Sequence, residues 1–363
     1  MRNAARTLKL ALGLVLALWA AALPPLPAKA ADTMSVAAVG DIMMGTTFPE
    51  PFLPPGDGAG LFDAVRDAWE GCDLVFGNLE GPMIDGGRSD KCGEGKPNCY
   101  AFRMPERYAG HLKRAGFTAL GIINNHAYDF GAEGVASTVR ALKSAGLSPV
   151  GGSETAVFSV KGKKVAVAGF CFPTHSTYGS RYFYSITDIP AARRVVRELC
   201  RDNDIVIVSF HGGAEGKDAT HVTGDTEIYL GEDRGNVRAF AHAVVDAGAD
   251  LVIGHGPHVL RGAEIYKGRL IAYSLGNFLT YGGISIRGVN GVTAILTARL
   301  DLETGAFVSG RLVSARQVER GVLRKDPENA GALLVRDLSR ADFPGSGLDV
   351  SGDGDLVPEG GEK

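Results

Sequence analysis

The sequence predicts an α/β fold with substantial parallel strand pairing, because short apolar runs alternate with segments of helical period. Polar residues follow the ends of several of these runs, as expected where ligands collect at the carboxyl ends of parallel strands. The expected strands cover residues 35–39, 74–76, 119–123, 165–170, 205–210, 251–253 and 270–274. The expected helices between them cover residues 61–69, 105–115, 132–145, 189–200 and 237–247.

Two hairpins add an antiparallel component to this pattern. One covers residues 157–168 with a turn at 161–163, and the other covers residues 293–318 with a turn at 303–305. We therefore expect the core to be a sandwich of two sheets. No composition break inside residues 35–320 indicates a linker.

The composition excludes two broad classes of protein. With 363 residues, 45% of them hydrophobic, the chain can bury a substantial core and is not intrinsically disordered. Its formal net charge of -3 does not provide the basic surface that nucleic-acid binding requires. We therefore expect no nucleic-acid partner.

The N-terminal residues have the pattern of a secretory signal peptide. Basic residues precede an apolar run over residues 10–23, and Ala28-Lys29-Ala30 then offers small residues at the two cleavage positions. We expect residues 1–30 to be a signal peptide and the protein to be exported, to the periplasm or the cell surface. An uncleaved membrane anchor is the alternative.

The five cysteines agree with export in part. Cys92 and Cys99 lie seven positions apart in a segment rich in Gly, Pro and Lys, which favours a small disulfide loop in an oxidising compartment. Cys72, Cys171 and Cys200 remain, and we interpret them as apolar core residues.

Carboxylates at the ends of the first two strands are candidate metal ligands. Asp41 follows the first apolar run directly, and Glu80 follows the second with Asn78 two positions before it on the same side of an extended chain. Two converging carboxylates would repel each other without a cation. The alternative for Asp41 is a structural residue that turns a strand into a loop.

Asn125 and His126 are the most specific pair in the sequence. An Asn amide oxygen can ligate a metal, an adjacent His can donate a proton to a leaving group, and Asp129 is close enough to orient that imidazole. The alternative is a helix N-cap, in which Asn124 or Asn125 caps the helix expected from about Ala132.

Histidines follow two further strands. His211 ends one apolar run, with Glu215 four positions later, and His255 and His258 follow another across Gly254. Three histidines in two glycine-backed strand-end loops indicate metal ligands more than packing residues.

These motifs, in this order, resemble those of the CapA-type capsule (poly-γ-glutamate) biosynthesis proteins, whose fold is similar to that of calcineurin-like metallophosphoesterases. The resemblance spans about residues 35–318. The matching segments are residues 39–41, 77–80, 124–126 with Asp129 and Gly131, 211–215, 254–258 and 273–278.

The resemblance implies a four-layer α/β/β/α sandwich of the metallophosphoesterase type. This domain is expected over residues 31–320, after the signal peptide. The C-terminal segment 321–363 would follow it, and we expect this segment to be mobile from about Gly345 because of its Gly, Asp and Glu content.

The resemblance also implies roles for individual residues. One or two divalent metal ions, with Mn, Fe and Zn as candidates, would be held by Asp41, Glu80, Asn125, His211, His255 and His258. His126 would be the catalytic acid beside the leaving group, assisted by Asp129. Substrate-binding residues would be Asn78, Glu215 and Asn277.

The sequence departs from the related patterns at several positions. Met43 stands where metallophosphoesterases have a His ligand, and Glu80 stands where a bridging Asp is expected. Gly212 and Gly216 replace a Trp and a Tyr that are common in CapA-type proteins. These changes leave open a site with one metal, a changed reaction, or a site that binds without catalysing.

The leading functional hypothesis is an exported protein that serves the synthesis, release or anchoring of a poly-γ-glutamate-like anionic surface polymer through metal-dependent hydrolase chemistry. Its partners would be the polymer and membrane-bound polymer synthesis proteins. One alternative is a metallophosphoesterase acting on another phosphate ester. Another is a non-catalytic protein that only binds polymer.

Overall fold

Two large β-sheets face each other in the structure, a computed structural model that describes residues 32–92, 99–173 and 184–360. The expected signal peptide over residues 1–30 lies outside the described residues. In the part of the chain that is described, no helix combines the length and apolarity that a membrane span requires.

The strands and helices are numbered here in chain order. The strands are β1 (Thr33–Met43), β2 (Leu74–Leu79), β3 (Ala119–Gly121), β4 (Ser148–Val150), β5 (Ala156–Val160), β6 (Lys163–Cys171), β7 (Ile205–His211), β8 (Ile228–Tyr229), β9 (Glu232–Asp233), β10 (Leu251–His255), β11 (Ala263–Tyr266), β12 (Arg269–Ala272), β13 (Asn277–Thr280), β14 (Val292–Asp301), β15 (Phe307–Val318), β16 (Val322–Lys325), β17 (Leu348–Val350) and β18 (Asp355–Pro358). The helices are α1 (Ala109–Ala115), α2 (Gly131–Ser144), α3 (Ile189–Asp202), α4 (Val237–Ala247) and α5 (Ala330–Asp342).

The first sheet has the strand order β17-β18-β15-β14-β1-β2-β3-β4, with β13 also paired to β1 and β16 to β15. Its half from β1 to β4 is parallel, whereas β1 and β14 pair antiparallel. The second sheet has the order β11-β12-β10-β7-β6-β5, and β12, β10, β7 and β6 are parallel to one another. Both sheets therefore contain parallel strands, and the carboxyl ends of such strands are where ligands bind in α/β proteins.

The four-layer sandwich that the resemblance implied is confirmed by the packing. Apolar side chains of both sheets, including Val36, Phe76 and Ile207, form a common buried cluster between the sheets. Helices α1 and α2 pack on the outer face of the first sheet, where Leu112 and Leu142 are fully buried. Helices α3 and α4 cover the outer face of the second sheet with a third buried cluster.

Both predicted hairpins are present, as β5–β6 and β14–β15. The helix predicted over residues 61–69 is wrong, because this segment forms turns and a short 3-10 helix at Arg66–Trp69. Its aromatic residues are held by tertiary contacts instead. The indole of Trp69 donates a hydrogen bond to the Ala115 carbonyl and packs beside Phe117.

The described residues beyond Gly345 contribute to the first sheet, and the mobility predicted for this segment stays a prediction. Leu348, Val350 and Leu356 are buried, and β18 pairs with β15 at the edge of the first sheet. This segment forms a strand–turn–strand pattern in which β17 and β18 pair, and Gly354 lies in the turn with a φ of 89°.

The expected disulfide between Cys92 and Cys99 is present. Of the remaining cysteines, Cys171 is fully buried, while Cys72 and Cys200 are half-buried thiols. The interpretation of these three as core residues is therefore confirmed for Cys171 and is only partly right for the other two.

Candidate metal centre

Three buried side chains from both sheets meet at the carboxyl ends of their strands. Asp41 comes from the end of β1, Glu80 follows β2 and His211 ends β7. Each offers one ligand atom to a group in which all ligand atoms lie within 4.8 Å of one another. Carboxylate oxygens and an imidazole nitrogen in one buried group suit a divalent cation.

Close backbone packing places Asp41 in this group. At Gly40, a Cβ atom would lie 1.9 Å from the carbonyl oxygen of Gly276, so only glycine allows this approach. The Asp41 N–H donates to that same oxygen at 2.9 Å. The turn alternative for Asp41 is therefore not supported, because its side chain points into the buried group rather than capping a loop.

Asn78 lies between the two carboxylates. Its Nδ2 donates to Asp41 Oδ1 at 2.9 Å and to Glu80 Oε2 at 2.6 Å, and it lies 3.4 Å from His211 Nδ1. The amide thus reduces the repulsion between the carboxylates without carrying a charge. The structure places Asn78 in contact with the candidate ligands, and its predicted role in substrate binding stays a prediction.

Several buried ligand-type atoms have no hydrogen-bond partner among the described residues. They include Glu80 Oε1, His211 Nε2 and Asn125 Oδ1. A buried polar atom without a partner costs about 1–3 kcal/mol, and more if it is charged. Glu80 and His211 belong to the 4.8 Å group and Asn125 to the predicted ligand set, so these donor atoms fit a divalent metal ion.

The pKa values of the three residues in this group are shifted in different directions. Burial raises the pKa of Glu80 to about 8, and the charge of Asp41 acts in the same direction. Burial also opposes the charge on Asp41, but the hydrogen bond and the charge of His258 lower its pKa to about 2. Burial lowers the pKa of His211 well below its usual value, which favours the neutral imidazole that ligates metals.

His258 contacts Asp41 directly. Its Nδ1 lies 2.9 Å from Asp41 Oδ2, and the residue has a φ of 59°, in the left-handed region that non-glycine residues rarely adopt. Burial lowers the pKa of His258, but the hydrogen bond and charge of Asp41 outweigh this and raise it to about 10. His258 thus contacts Asp41 and does not join the 4.8 Å group, and its ligand role stays a prediction.

The structure does not bring His255 into that group. Its Nε2 lies 3.1 Å from the Val39 carbonyl oxygen, and its Nδ1 lies 3.4 Å from Ser209 Oγ. Both ring nitrogens thus face protein groups, one on β1 of the first sheet and one on β7, the strand paired with β10. The ligand role of His255 stays a prediction.

His126 and Asp129 form the expected pair. Asp129 Oδ2 lies 2.8 Å from His126 Nδ1 and also accepts the Phe102 N–H at 2.7 Å. Burial lowers the pKa of His126, against the charge of Asp129. The N-cap alternative for Asn124 and Asn125 is wrong, because the N-cap position of α2 is occupied by Phe130, which makes no side-chain cap.

The remaining predicted residues lie at the margin of the group. Glu215 Oε1 accepts a hydrogen bond from Arg234, a buried arginine whose guanidinium also stacks on Phe172 at 4.1 Å. Asn277, on β13, is the register partner of Asp41 on β1. Its Oδ1 is a further buried atom without a hydrogen-bond partner among the described residues.

Three residues of the site were not predicted. Asn124 donates from Nδ2 to Asn78 Oδ1 at 3.2 Å, and its Oδ1 accepts the His126 N–H at 3.0 Å, so it connects the two halves of the site. Its place in the motif at 124–126 was the available signal. Arg234 and Lys91 carried no sequence signal, because their contacts depend on loops that fold back from elsewhere in the chain.

Comparison with known proteins identifies the family of the chain. The model of the family described as "Bacterial capsule synthesis protein PGA_cap" matches residues 35–281. The chain belongs to this family. Among the members of known name, it is 31% identical over 273 residues to the capsule biosynthesis protein CapA of Bacillus anthracis, covering 71% of this chain and 62% of that protein.

Other capsule-family relatives show similar coverage. The PGA biosynthesis protein CapA of Bacillus subtilis is 29% identical over 68% of this chain and 63% of its own length. The chain therefore spans less than two thirds of the length of these two relatives. Among solved structures, a phosphatase of Mycoplasma pneumoniae superposes with a TM-score of 0.49 at 14% identity, covering 82% of this chain and 96% of that one.

Proposed function

We propose that this capsule-family protein serves the synthesis, release or anchoring of a poly-γ-glutamate-like anionic surface polymer, and that it does so by metal-dependent hydrolysis. Membership of the family supports the polymer, because the two relatives above are named for capsule and PGA biosynthesis. The protein would act after export, together with membrane-bound polymer synthesis proteins.

One observation carries the hydrolase part of this proposal. The group of Asp41, Glu80 and His211 is buried, and it leaves Glu80 Oε1 and His211 Nε2 without a hydrogen-bond partner among the described residues. Buried polar atoms in a folded protein rarely lack a hydrogen-bond partner. We therefore infer that a bound cation is the partner of these two atoms. Asn125 Oδ1 is a third predicted ligand atom without a hydrogen-bond partner among the described residues.

The residues of the chain divide the chemistry between them. Asp41, Glu80, Asn125 and His211 would hold the cation, which supplies Lewis acidity and makes water a nucleophile at neutral pH. Because Asp129 engages Nδ1 of His126, Nε2 is the nitrogen that can exchange a proton with the leaving group. In hydrolysis of a γ-glutamyl amide, the proton would go to the departing amine while water supplies the new carboxylate oxygen.

Metal content and turnover of the purified protein test this function. We expect bound divalent metal, and hydrolysis within a panel of γ-glutamyl peptides, phosphomonoesters and phosphodiesters. Glu80→Gln should lose both metal and turnover. Glu264→Gln is the matched control, because Glu264 is also buried but contacts His242 and Tyr273 instead of the centre.

The outcomes separate the alternatives. Hydrolysis of γ-glutamyl peptides supports the polymer function, whereas hydrolysis of phosphate esters alone would assign the site to the metallophosphoesterase alternative. A protein that binds polymer without metal or turnover would contradict the hydrolase. Export has its own measurement, since the N-terminal sequence of the protein from the cell envelope should begin after residue 30 if the signal peptide is cleaved.

A further inference from the structure

The side chain of Lys91 reaches the His126–Asp129 pair from the segment that precedes Cys92. Its Nζ lies 2.5 Å from Asp129 Oδ1, 3.0 Å from the carbonyl oxygen of Asn125 and 3.1 Å from His126 Nδ1. The Lys91 side chain is 24% exposed, and that of Asp129 is fully buried. This ammonium group is thus held against the backbone of a candidate ligand and against the candidate proton donor.

The hydrogen bonds of Asp129 show what Lys91 contributes. Oδ2 accepts from the Phe102 N–H and from His126 Nδ1, while Oδ1 accepts from Lys91. A carboxylate oxygen 2.8 Å from Nδ1 requires the proton on Nδ1, so Lys91 donates to Asp129 and to Asn125 rather than to the ring. Without the ammonium group, Oδ1 of a buried carboxylate would lose its Lys91 donor, and only the two contacts of Oδ2 would orient the carboxylate.

The disulfide joins the two segments that hold this pair. Lys91 stands one position before Cys92, and Phe102 stands three positions after Cys99. Phe102 contacts the pair from its other side, since its N–H donates to Asp129 and its ring lies 4.4 Å from the His126 ring between centroids. The Cys92–Cys99 bond therefore links the chain on one side of the pair to the chain on the other.

We propose that Lys91 and the Cys92–Cys99 disulfide form a clamp that positions the His126–Asp129 pair for proton transfer. The clamp rests on the proposed function for its effect on turnover, but its effect on the imidazole is independent of turnover. Lys91 is a positioning residue in this proposal, because it acts on substrate only through Asp129 and His126. The disulfide in turn keeps Lys91 and Phe102 at their places.

A purely structural disulfide loop would make a different prediction. It would change the stability of the protein without changing the state of the His126 ring in molecules that remain folded. An anion-binding lysine would differ again, since its loss would raise KM and leave the imidazole unchanged. The clamp predicts that its loss lowers kcat and also changes the tautomer of the His126 imidazole.

Two variants and one chemical treatment test the clamp in the full chain. Lys91→Met removes the ammonium and keeps most of the length of the side chain, and Lys91→Arg restores a cation. A phosphine reductant opens the disulfide to two thiols, as the phosphine takes oxygen from water and becomes the phosphine oxide. Lys267→Met is the control, because the Lys267 ammonium pairs with Asp246, outside the site.

The first readout is the pair of ¹⁵N chemical shifts of the His126 ring, measured with added Zn²⁺, which is diamagnetic. In the untreated protein, we expect Nδ1 to carry the proton. Lys91→Met and reduction should each shift both ring nitrogens toward a mixture of tautomers, and Lys91→Arg should restore much of the original pattern. Lys267→Met should leave the shifts unchanged.

The second readout is turnover of whichever substrate the panel identifies. Lys91→Met and reduction should each lower kcat by about 10- to 100-fold, with KM within about twofold of its original value. Reductant should have no effect on a Cys92→Ser/Cys99→Ser variant, which already lacks the bond. Thermal unfolding of each sample shows whether it is folded.

Each result decides the proposal. Unchanged ring shifts in folded Lys91→Met, or a change confined to KM, would overturn the clamp. If Lys91→Met does not fold, reduction of the wild-type protein provides the same comparison. If no substrate is turned over at all, the proposed hydrolase fails, and the ring shifts still decide whether Lys91 and the disulfide position His126.

Discussion

Asp41 and His258 are 217 positions apart in the chain, yet Asp41 Oδ2 lies 2.9 Å from His258 Nδ1. Asp41 lies near the carboxyl end of β1 in the first sheet, and His258 follows β10 of the second sheet. The contact thus joins the two sheets at the edge where the candidate metal centre lies. It also keeps Asp41 charged in a buried position, because the hydrogen bond and charge of His258 lower its pKa to about 2.

We expect Asp41→Asn to lose metal with little change in fold. The amide keeps the size of the side chain but removes the negative charge that a divalent cation requires. Metal affinity should fall by about 100-fold or more, measured by calorimetric titration of the metal-stripped protein. Asp250→Asn, a change at another buried aspartate outside the centre, should leave the affinity unchanged. Equal metal binding by both variants would contradict the role of Asp41.

Asn125 and His126 are neighbours in sequence, and their variants should separate binding from catalysis. Asn125→Ala removes a buried oxygen without a hydrogen-bond partner among the described residues, and it should lower the metal content. His126→Ala should keep the metal and lower kcat by about 100- to 10,000-fold, since it removes the proton donor. Metal analysis and kinetics on the same preparations test both expectations. Loss of metal in His126→Ala would instead make His126 a ligand.

A buried ion pair between Arg261 and Glu227 should contribute strongly to the free energy of unfolding. The guanidinium of Arg261 is fully buried and binds Glu227 through two hydrogen bonds, at 2.8 and 2.7 Å. Glu227→Ala leaves that charge unpaired, so the free energy of unfolding should fall by about 3–5 kcal/mol in chemical denaturation. Asp90→Ala, which breaks the exposed pair with Arg88, should change it by less than about 1 kcal/mol. Similar effects of the two changes would contradict this account.

Asp250 should make stability depend on pH. Burial raises its pKa to about 6, although the Val206 N–H and Arg269 act in the opposite direction. A pKa raised on folding means that the folded state is favoured while the carboxyl is protonated. This stabilisation is complete below about pH 4 and is lost as the pH rises through about 6.

The comparison with Asp250→Asn isolates this effect. Relative to the variant, the wild-type protein should lose roughly 3 kcal/mol of unfolding free energy between about pH 4 and pH 7, from the difference between its folded and unfolded pKa. Urea denaturation of both proteins across this range provides the measurement. Parallel pH profiles would show that Asp250 does not titrate differently in the folded state.

The prediction from sequence succeeded where the signal is local. Strands β1, β2, β7 and β10 were each visible as a short apolar run, because a strand buried on both faces must be apolar along its length. Polar residues at the ends of those runs then indicated Asp41, Glu80 and His211. The prediction failed at residues 61–69, where ring packing against distant residues overrides helical periodicity.

By itself, the sequence determined the α/β fold, its two hairpins and the set of polar side chains at the strand ends, since all of these depend on neighbours along the chain. Tertiary structure alone decided that His255 faces Val39 and Ser209, that Glu80 Oε1 and His211 Nε2 lack hydrogen-bond partners among the described residues, and that Lys91 reaches Asp129. The physical reason is that the direction of a buried side chain is set by atoms that fold against it from distant parts of the chain, and these atoms leave no pattern in the local sequence.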